Sequence, residues 1–241
     1  TRAFGGPMKY IQGLGEFNKM AEYTNNYGGR AFFLIDGFLF KNLNNRLESI
    51  YKAGGYPYNA VPFSGECCQE EIERVSDLVR NVSADVLIGV GGGKTLDTMK
   101  AVASELGLSL IIVPTSASTD APTSAMSVLY TKDGTYIKNI RHKKNAVLVL
   151  MDTEIISKAP IRLFISGMGD ALATYFEAMA NDASDSTNYI GKGYRRCKAA
   201  MAIAKACFEI LMEDGIKAKL ALERNICSEA VENVIEANTL M

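Results

Sequence analysis

The sequence predicts an α/β fold in which a mostly parallel β-sheet covered by helices precedes an all-helical region. Up to Asp152, short apolar runs rich in β-branched residues alternate with segments whose apolar residues recur every three or four positions. Beyond Pro160 only the second, helical spacing continues. The predicted boundary lies within residues 155–161, which gives an α/β domain over 1–157 and a helical domain over 158–241.

The first half of the chain supplies strands and helices in turn. We predict strands within 8–15 and over 31–35, 58–63, 86–90 and 109–113, and helices over 16–25, 39–53, 70–82 and 94–106. Gly54 and Gly55 are placed to end the second helix as a C-cap. This alternation is typical of a parallel sheet with helices on both faces.

A glycine turn separates the central strand from its helix. The strand ends among Gly91, Gly92 and Gly93, and Lys94 and Thr95 open the helix. Glycines let a ligand approach the backbone, and the N–H groups of the first helical turn would point at it. A phosphate is the natural occupant, although a tight connection without any ligand has the same pattern.

An acidic residue, Asp36, follows the strand over 31–35. A carboxylate in this position can hold ribose hydroxyls in nucleotide-binding α/β domains. It can equally be the N-cap of the next helix, and this residue taken alone favours the N-cap.

The stretch after the strand over 109–113 reads PTSASTDAPTSAMSVLY and is rich in small hydroxyl residues. Its two prolines exclude a long helix. Loops outside the carboxyl ends of parallel strands are where open α/β sheets bind ligands, which favours a binding role over a plain surface loop. A hairpin is predicted between residues 128–130 and 136–140, followed by a last strand over 146–151.

The second half of the chain has helical spacing throughout. Helices are predicted over 171–180, 197–212, 216–224 and 229–240, with breaks at Gly191, Gly193 and Gly215.

Composition and charge exclude several classes of function. The chain has 241 residues, 26 basic and 27 acidic side chains and a net charge of −1, so it lacks the concentrated positive surface that nucleic-acid binding needs. No apolar run approaches the roughly 20 residues of a membrane helix, and no signal pattern opens the chain. The five cysteines form no metal-type pair and fit a reduced cytoplasm. We therefore expect a cytoplasmic protein without nucleic-acid or membrane partners.

Three motifs carry a family resemblance: GVGGGKTLD over 89–97, PTSASTDAPTSA over 114–125 and SGMGDALAT over 166–174. Together they are similar to the glycerol dehydrogenase branch of the iron- or zinc-dependent alcohol dehydrogenase family. The opening GGPMKYIQGLG and the tail IEANTLM extend the resemblance over essentially the whole chain. The resemblance implies a Rossmann-like first domain and NAD-dependent oxidation of glycerol, or a similar vicinal diol, to the hydroxyketone.

The resemblance also implies residue roles. Asp36 would hold the adenosine ribose and favour NAD over NADP, and Asp120 would contact the polyol. Asp170 would be a ligand of a divalent metal, for which zinc is expected. The pyrophosphate would lie against Gly91, Gly92, Gly93, Lys94, Thr95 and Asp97. The nicotinamide half would lie near Thr115, Ser116, Ala117, Ser118, Ser124, Met126 and Tyr130. Homo-oligomerisation is likewise implied. From the residues alone, Asp120 could cap a turn, and an N-cap is the favoured interpretation of Asp170.

One departure from the family pattern concerns the metal. The family completes its metal site with two histidines beyond Asp170, whereas the single histidine here, His142, precedes it and is expected to be solvated. We therefore expect the chain to be truncated at Met241, with an incomplete metal site and an exposed apolar stripe at Val231, Val234 and Ile235. Two alternatives remain: a catalytically silent NAD-binding or assembly module, and a related metal-dependent dehydrogenase for another small alcohol or aldehyde.

Overall fold

A computed structural model describes residues 1–187 and 193–241, so the predicted break at Gly191 lies outside the described residues. The chain forms two compact units. The sheet unit consists of Pro7–Thr115 and Ala121–Asp152. The helical unit consists of Thr1–Gly6, Ser116–Asp120 and Thr153–Met241. The sequence pattern assigned residues 1–6 and 116–120 to the α/β domain, whereas the structure groups both segments with the helices.

The sheet unit contains a six-stranded parallel sheet and a two-stranded hairpin. The strands in chain order are β1 Tyr10–Gly13, β2 Ala31–Ile35, β3 Tyr58–Pro62, β4 Val86–Gly91, β5 Ser109–Pro114, β6 Met126–Tyr130, β7 Tyr136–Arg141 and β8 Leu148–Asp152. The sheet order is β1-β8-β5-β4-β2-β3, and β6 pairs antiparallel with β7. The predicted α/β class and the predicted hairpin are confirmed.

Strand β4 lies in the middle of the sheet, and its neighbours set where the loops emerge. Val90 is level with Ile35 of β2 and with Val113 of β5. Because all three strands run the same way, their carboxyl ends meet at one edge of the sheet. Every residue of β2 and β4 is buried, which explains why both read as continuous apolar runs rather than as alternating ones.

The helices of the sheet unit are α1 Met20–Asn25, α2 Phe40–Gly54, α3 Gln69–Asn81 and α4 Gly93–Leu106, with short 3-10 turns at Glu16–Lys19 and Ala121–Thr123. Helix α2 ends as predicted, because Gly55 adopts a left-handed φ of 70°. Its N-cap is Leu39, with no side-chain cap bond. The interpretation of Asp36 as the N-cap of this helix is therefore wrong.

The helical unit contains α5 Thr153–Ser157, α6 Ile161–Ser184, α7 Lys198–Leu222 and α8 Glu229–Thr239. Gly215 does not break α7, contrary to the prediction of two helices there. A Cβ at Gly215 would lie 2.7 Å from Met168 Cε, so the end of the Met168 side chain of α6 occupies the space beside this glycine.

The apolar surface of the helical unit lies elsewhere than predicted. Val231, Val234 and Ile235 are fully buried, because α8 packs against α6 and α7, so the exposed stripe expected there is wrong. Exposed apolar side chains instead lie one turn apart along α7, at Met212, Ile216 and Leu220. Homo-oligomerisation stays a prediction. None of the helices in the described part of the chain has the length and apolar character to cross a membrane.

Candidate functional site

The glycine turn joins β4 to α4 and presents bare backbone. The N-cap of α4 is Gly92, and no side chain caps the helix. A Cβ at Gly91 would lie 2.7 Å from Thr95 Oγ1, so this glycine allows the turn to fold tightly onto the helix. A Cβ at Gly92 would meet nothing within 4 Å. The first N–H groups of α4 therefore face open space, with the partial positive charge of the helix terminus behind them.

A pocket of about 390 Å³ lies in front of this helix terminus. It is lined by Asp36, Gly37, Phe38, Phe63, Ser64, Gly65, Gly92, Gly93, Lys94 and Thr95. These residues follow β2, β3 and β4 and meet at the shared carboxyl edge of the sheet. The sheet unit thus brings five of the predicted cofactor residues together on one pocket: Asp36, Gly92, Gly93, Lys94 and Thr95.

Asp36 is held at the end of β2 by its own backbone and side chain. Its N–H donates to Val90 O at 2.8 Å, which fixes it beside the central strand. Its Oδ1 accepts a 3.0 Å hydrogen bond from the Phe38 N–H and so stabilises a local turn. The carboxylate oxygen of Asp36 that is not used by this turn can accept a hydrogen bond from a hydroxyl group.

Lys94 lines the pocket, but its charge is already engaged. Its Nζ lies 2.5 Å from Glu66 Oε2 and 5.4 Å from the centre of the Tyr130 ring. The Tyr130 N–H donates to Cys67 O at 2.9 Å, which anchors β6 to the loop before α3. Glu66 was not identified from the sequence, because its partner lies 28 positions away and no local motif signals the pair.

Asp97 is buried on the face of α4 that packs against the hairpin. One carboxylate oxygen lies 3.0 Å from Lys100 Nζ, and the other accepts a 2.9 Å bond from the Val128 N–H. The buried Lys100 ammonium also contacts the Met126 carbonyl at 3.0 Å and Ser124 Oγ at 3.2 Å. Asp97, Ser124 and Met126 thus share one buried polar cluster, in which Lys100 is the residue that sequence reasoning missed. Their proposed contacts with a cofactor stay predictions.

Residues 115–118 begin in the sheet unit and continue in the helical unit. The Thr115 N–H donates to Gly91 O at 3.1 Å, which ties the end of β5 to the glycine turn. Ser116 and Ala117 are buried, and Ser116 Oγ lies 3.3 Å from Ser118 Oγ. The Ala117 carbonyl accepts a 2.9 Å bond from Asn238 Nδ2. Asn238 lies in the tail IEANTLM, which is part of the family resemblance. This motif is the sequence feature that could have identified Asn238 as an anchor of the loop.

Both predicted carboxylates for substrate and metal lie in the helical unit and are exposed. Asp170 is an interior residue of α6, nine positions after its first residue Ile161, so its interpretation as an N-cap is wrong. Within the described residues its carboxylate has no hydrogen-bond partner. Across residues 1–187 and 193–241, no group of three or more histidine, cysteine, aspartate and glutamate side chains is arranged to bind a metal. A catalytic zinc usually has three protein ligands, so the metal role of Asp170 stays a prediction.

His142 is half-buried rather than solvated, which corrects the sequence expectation. Its Nε2 lies 2.7 Å from Ser127 Oγ, and the Ser127 hydroxyl donates to Asp97 O at 2.7 Å. The imidazole therefore donates to Ser127 from Nε2. Burial, together with the nearby Lys100 charge, lowers the pKa of His142. This histidine is part of the interface between the hairpin and α4.

All five cysteines are free thiols. Burial raises the pKa of the Cys67 thiol to about 11, so it is protonated at neutral pH. Cys67 is fully buried and packs within the sheet unit.

The chain is similar to known proteins over most of its length. A family model of iron-containing alcohol dehydrogenases matches residues 7–153. The chain is 45% identical over 237 residues to a glycerol dehydrogenase of Thermotoga maritima, which covers 98% of this chain and 64% of that protein. It is 36% identical to a glycolaldehyde reductase of Halobacterium salinarum, over 100% of this chain and 66% of that protein.

The fold is also similar to that of a solved structure. The crystal structure of a probable glycerol dehydrogenase from Sinorhizobium meliloti superposes with a TM-score of 0.92 at 45% identity, over 100% of this chain and 65% of that one. The chain therefore spans 64% to 66% of the length of these relatives.

Proposed function

This chain belongs to the iron-containing alcohol dehydrogenase family, and we propose that it carries the NAD-binding unit of a dehydrogenase that oxidises glycerol or a similar vicinal diol. One observation supports this proposal above the others. The uncapped N-terminus of α4 and the carboxylate of Asp36 line the same pocket at the carboxyl edge of the parallel sheet. A helix terminus suits a diphosphate and a carboxylate suits a ribose, and NAD contains both.

The chain fits the cofactor at two points. The pyrophosphate would lie against Gly92 and Gly93, where the missing side chains leave the helix N–H groups accessible. The adenosine ribose would donate its hydroxyl hydrogens to Asp36. The same carboxylate would repel a 2′-phosphate, so NAD is preferred over NADP. When bound, NAD supplies the carbon that accepts a hydride from the alcohol.

The substrate class is proposed from the relatives. Those compared are named for glycerol or glycolaldehyde, and both compounds are small molecules with oxygen atoms on adjacent carbons. Asp120 would accept a hydrogen bond from a polyol hydroxyl and so orient the carbon that loses hydride. Asp170 would give one carboxylate ligand to a divalent metal, for which we propose zinc. Since the described residues supply this single donor, we assign no step of the reaction to a metal.

Calorimetric titration with NAD tests the cofactor site directly. We expect binding by the unmodified chain and at least a 10-fold loss of affinity in Gly92→Ala, because the new methyl group would occupy the space in front of the helix N–H groups. That methyl meets no protein atom within 4 Å, so the melting temperature should not change. Gly29→Ala is the matched control, since its methyl would lie 3.9 Å from Asp85 Oδ2, away from the pocket lining.

Turnover is tested separately, by NADH formation with glycerol and by NADH consumption with glycolaldehyde, each with added zinc or iron. NADH formation with glycerol supports the full proposal. NAD binding without turnover on either compound supports the silent NAD-binding module instead. A chain that binds no NAD contradicts both.

A further inference from the structure

Phe38 is an apolar side chain held out in solvent at the rim of the pocket. It is 94% exposed, more than any other large apolar residue in the described ranges. It also lines the pocket that contains Asp36 and the glycine turn. We propose that the Phe38 ring is the platform on which the adenine base of NAD stacks. This inference rests on the proposed NAD-binding function and assigns a recognition residue within it.

The backbone fixes Phe38 relative to the ribose carboxylate. The Asp36 side chain accepts from the Phe38 N–H at 3.0 Å, and the Asp36 carbonyl accepts from the Leu39 N–H at 3.0 Å. Two hydrogen bonds thus set the turn that carries the ring. A ligand whose ribose binds Asp36 therefore has its base next to an aromatic side chain only two residues away.

The lining of the pocket combines aromatic, anionic and backbone groups. Phe38 and Phe63 are its aromatic residues, Asp36 is its carboxylate, and Gly92 and Gly93 bring the N-terminus of α4 to it. A Cβ at Gly37 would lie 3.2 Å from Phe63 O, so this glycine lets the turn that carries Phe38 pack closely against the backbone after β3. This set of a flat ring, a carboxylate and free backbone N–H groups corresponds to a base, a ribose and a diphosphate. An ADP group contains all three.

Exposure of the ring is consistent with recognition of a planar partner. A phenyl ring in water is favourably covered by another flat apolar surface, and aromatic side chains commonly stack on nucleic-acid bases. The strength typical of such stacking predicts a 5- to 100-fold weakening of affinity when the ring is removed. Because Phe38 makes little contact with the rest of the protein, its removal should leave the fold unchanged.

Calorimetry on four forms of the chain tests the inference: unmodified, Phe38→Ala, Phe38→Leu and Phe38→Tyr. ADP-ribose and NAD are the adenine-containing ligands, and nicotinamide mononucleotide is the adenine-free control. We expect Phe38→Ala and Phe38→Leu to bind ADP-ribose and NAD 5- to 100-fold more weakly, and Phe38→Tyr to bind within 3-fold of the unmodified chain. The leucine variant keeps apolar area without a flat ring, so it separates stacking from general hydrophobic contact. Tyr56→Ala, an exposed aromatic of the sheet unit outside the pocket lining, should have no effect.

The possible failures are distinguishable. If the unmodified chain binds neither ADP-ribose nor NAD, the proposed function is wrong. If it binds both and Phe38→Ala binds them equally tightly, the function stands and the stacking role is wrong. Equal weakening for nicotinamide mononucleotide would also overturn the role, since that ligand has no adenine. So would a change in sedimentation coefficient with unchanged affinity, because the ring would then contact another protein chain.

Discussion

Replacing Gly167 with alanine tests how the loop 116–120 is held within the helical unit. Gly167 lies in α6 directly beneath this loop. A Cβ there would lie 2.0 Å from the Ala117 carbonyl oxygen and 2.6 Å from Asn238 Nδ2. Asn238 Nδ2 donates to that carbonyl at 2.9 Å and to the Phe164 carbonyl at 3.2 Å. One added methyl group therefore collides with the backbone of the loop and with the side chain that anchors it.

Three contributions determine the change in the free energy of unfolding: the first is stabilising, and the other two are destabilising. Alanine stabilises a helix by about 1 kcal/mol relative to glycine. Overpacking a tight contact costs about 1–3 kcal/mol, and leaving a buried polar group such as the Ala117 carbonyl unpaired costs about 1–3 kcal/mol more. The free energy of unfolding should therefore fall by about 1–5 kcal/mol. A loss of about 3 kcal/mol lowers the melting temperature by about 6–12 °C in a protein of this size.

Gly169→Ala is the matched control, because it makes the same chemical change two residues further along the same helix. A Cβ at Gly169 meets nothing within 4 Å, so this variant should gain up to about 1 kcal/mol. Urea unfolding followed by circular dichroism measures both variants against the unmodified chain. If Gly167→Ala is as stable as Gly169→Ala, the close contact between α6 and Ala117 does not exist, and the placement of the loop is refuted.

Two further predictions concern the sheet unit. Lys100→Met should lower the free energy of unfolding by about 3–5 kcal/mol, because it leaves the buried Asp97 carboxylate without its cation. Lys94→Met breaks a more exposed ion pair with Glu66 and should cost about 0–1 kcal/mol. Equal urea unfolding midpoints for the two variants would contradict this difference. Because the pKa of His142 is lowered in the folded chain, the unfolded chain binds a proton at this residue more readily, and the free energy of unfolding should fall as pH drops through about 6.5. His142→Gln, whose amide can still donate to Ser127, should flatten that part of the plot of unfolding free energy against pH. An unchanged plot would contradict the burial of this ring.

The order of elements was predictable because it depends on local patterns. Buried parallel strands appear in the sequence as continuous apolar runs, and helices appear as apolar residues spaced three and four positions apart. For this reason the predicted bounds of β2, β4, α2 and α4 agree with the structure within one or two residues. The errors arose where a distant partner decides. Gly215 has the sequence signal of a break, yet Met168 packs against it from another helix. Nothing near Gly215 in the chain reveals that contact.

The same limit applies to polar clusters. Lys100 reads as one exposed helical charge among many, and His142 as a charge in a basic loop. Lys100 is buried and His142 is half-buried because the hairpin folds onto α4, which places Met126 and Ser127 over the helix. Pairs of this kind join residues 15 to 26 positions apart, so no spacing rule anticipates them.

The hydrogen bonds of these charged side chains indicate which groups would bind the phosphates of the proposed cofactor. Lys94 is paired with Glu66, and both Asp97 oxygens are bonded within the fold, so neither side chain offers a free charge to the pocket. What remains is the backbone of Gly92 and Gly93, whose N–H groups carry the partial positive charge of the helix terminus. A backbone site keeps its geometry whatever side chains surround it. The glycines could therefore be named from the sequence as a candidate site, but choosing a bound phosphate over a plain tight turn depended on the neighbouring motifs, and the roles of the charged residues required the structure.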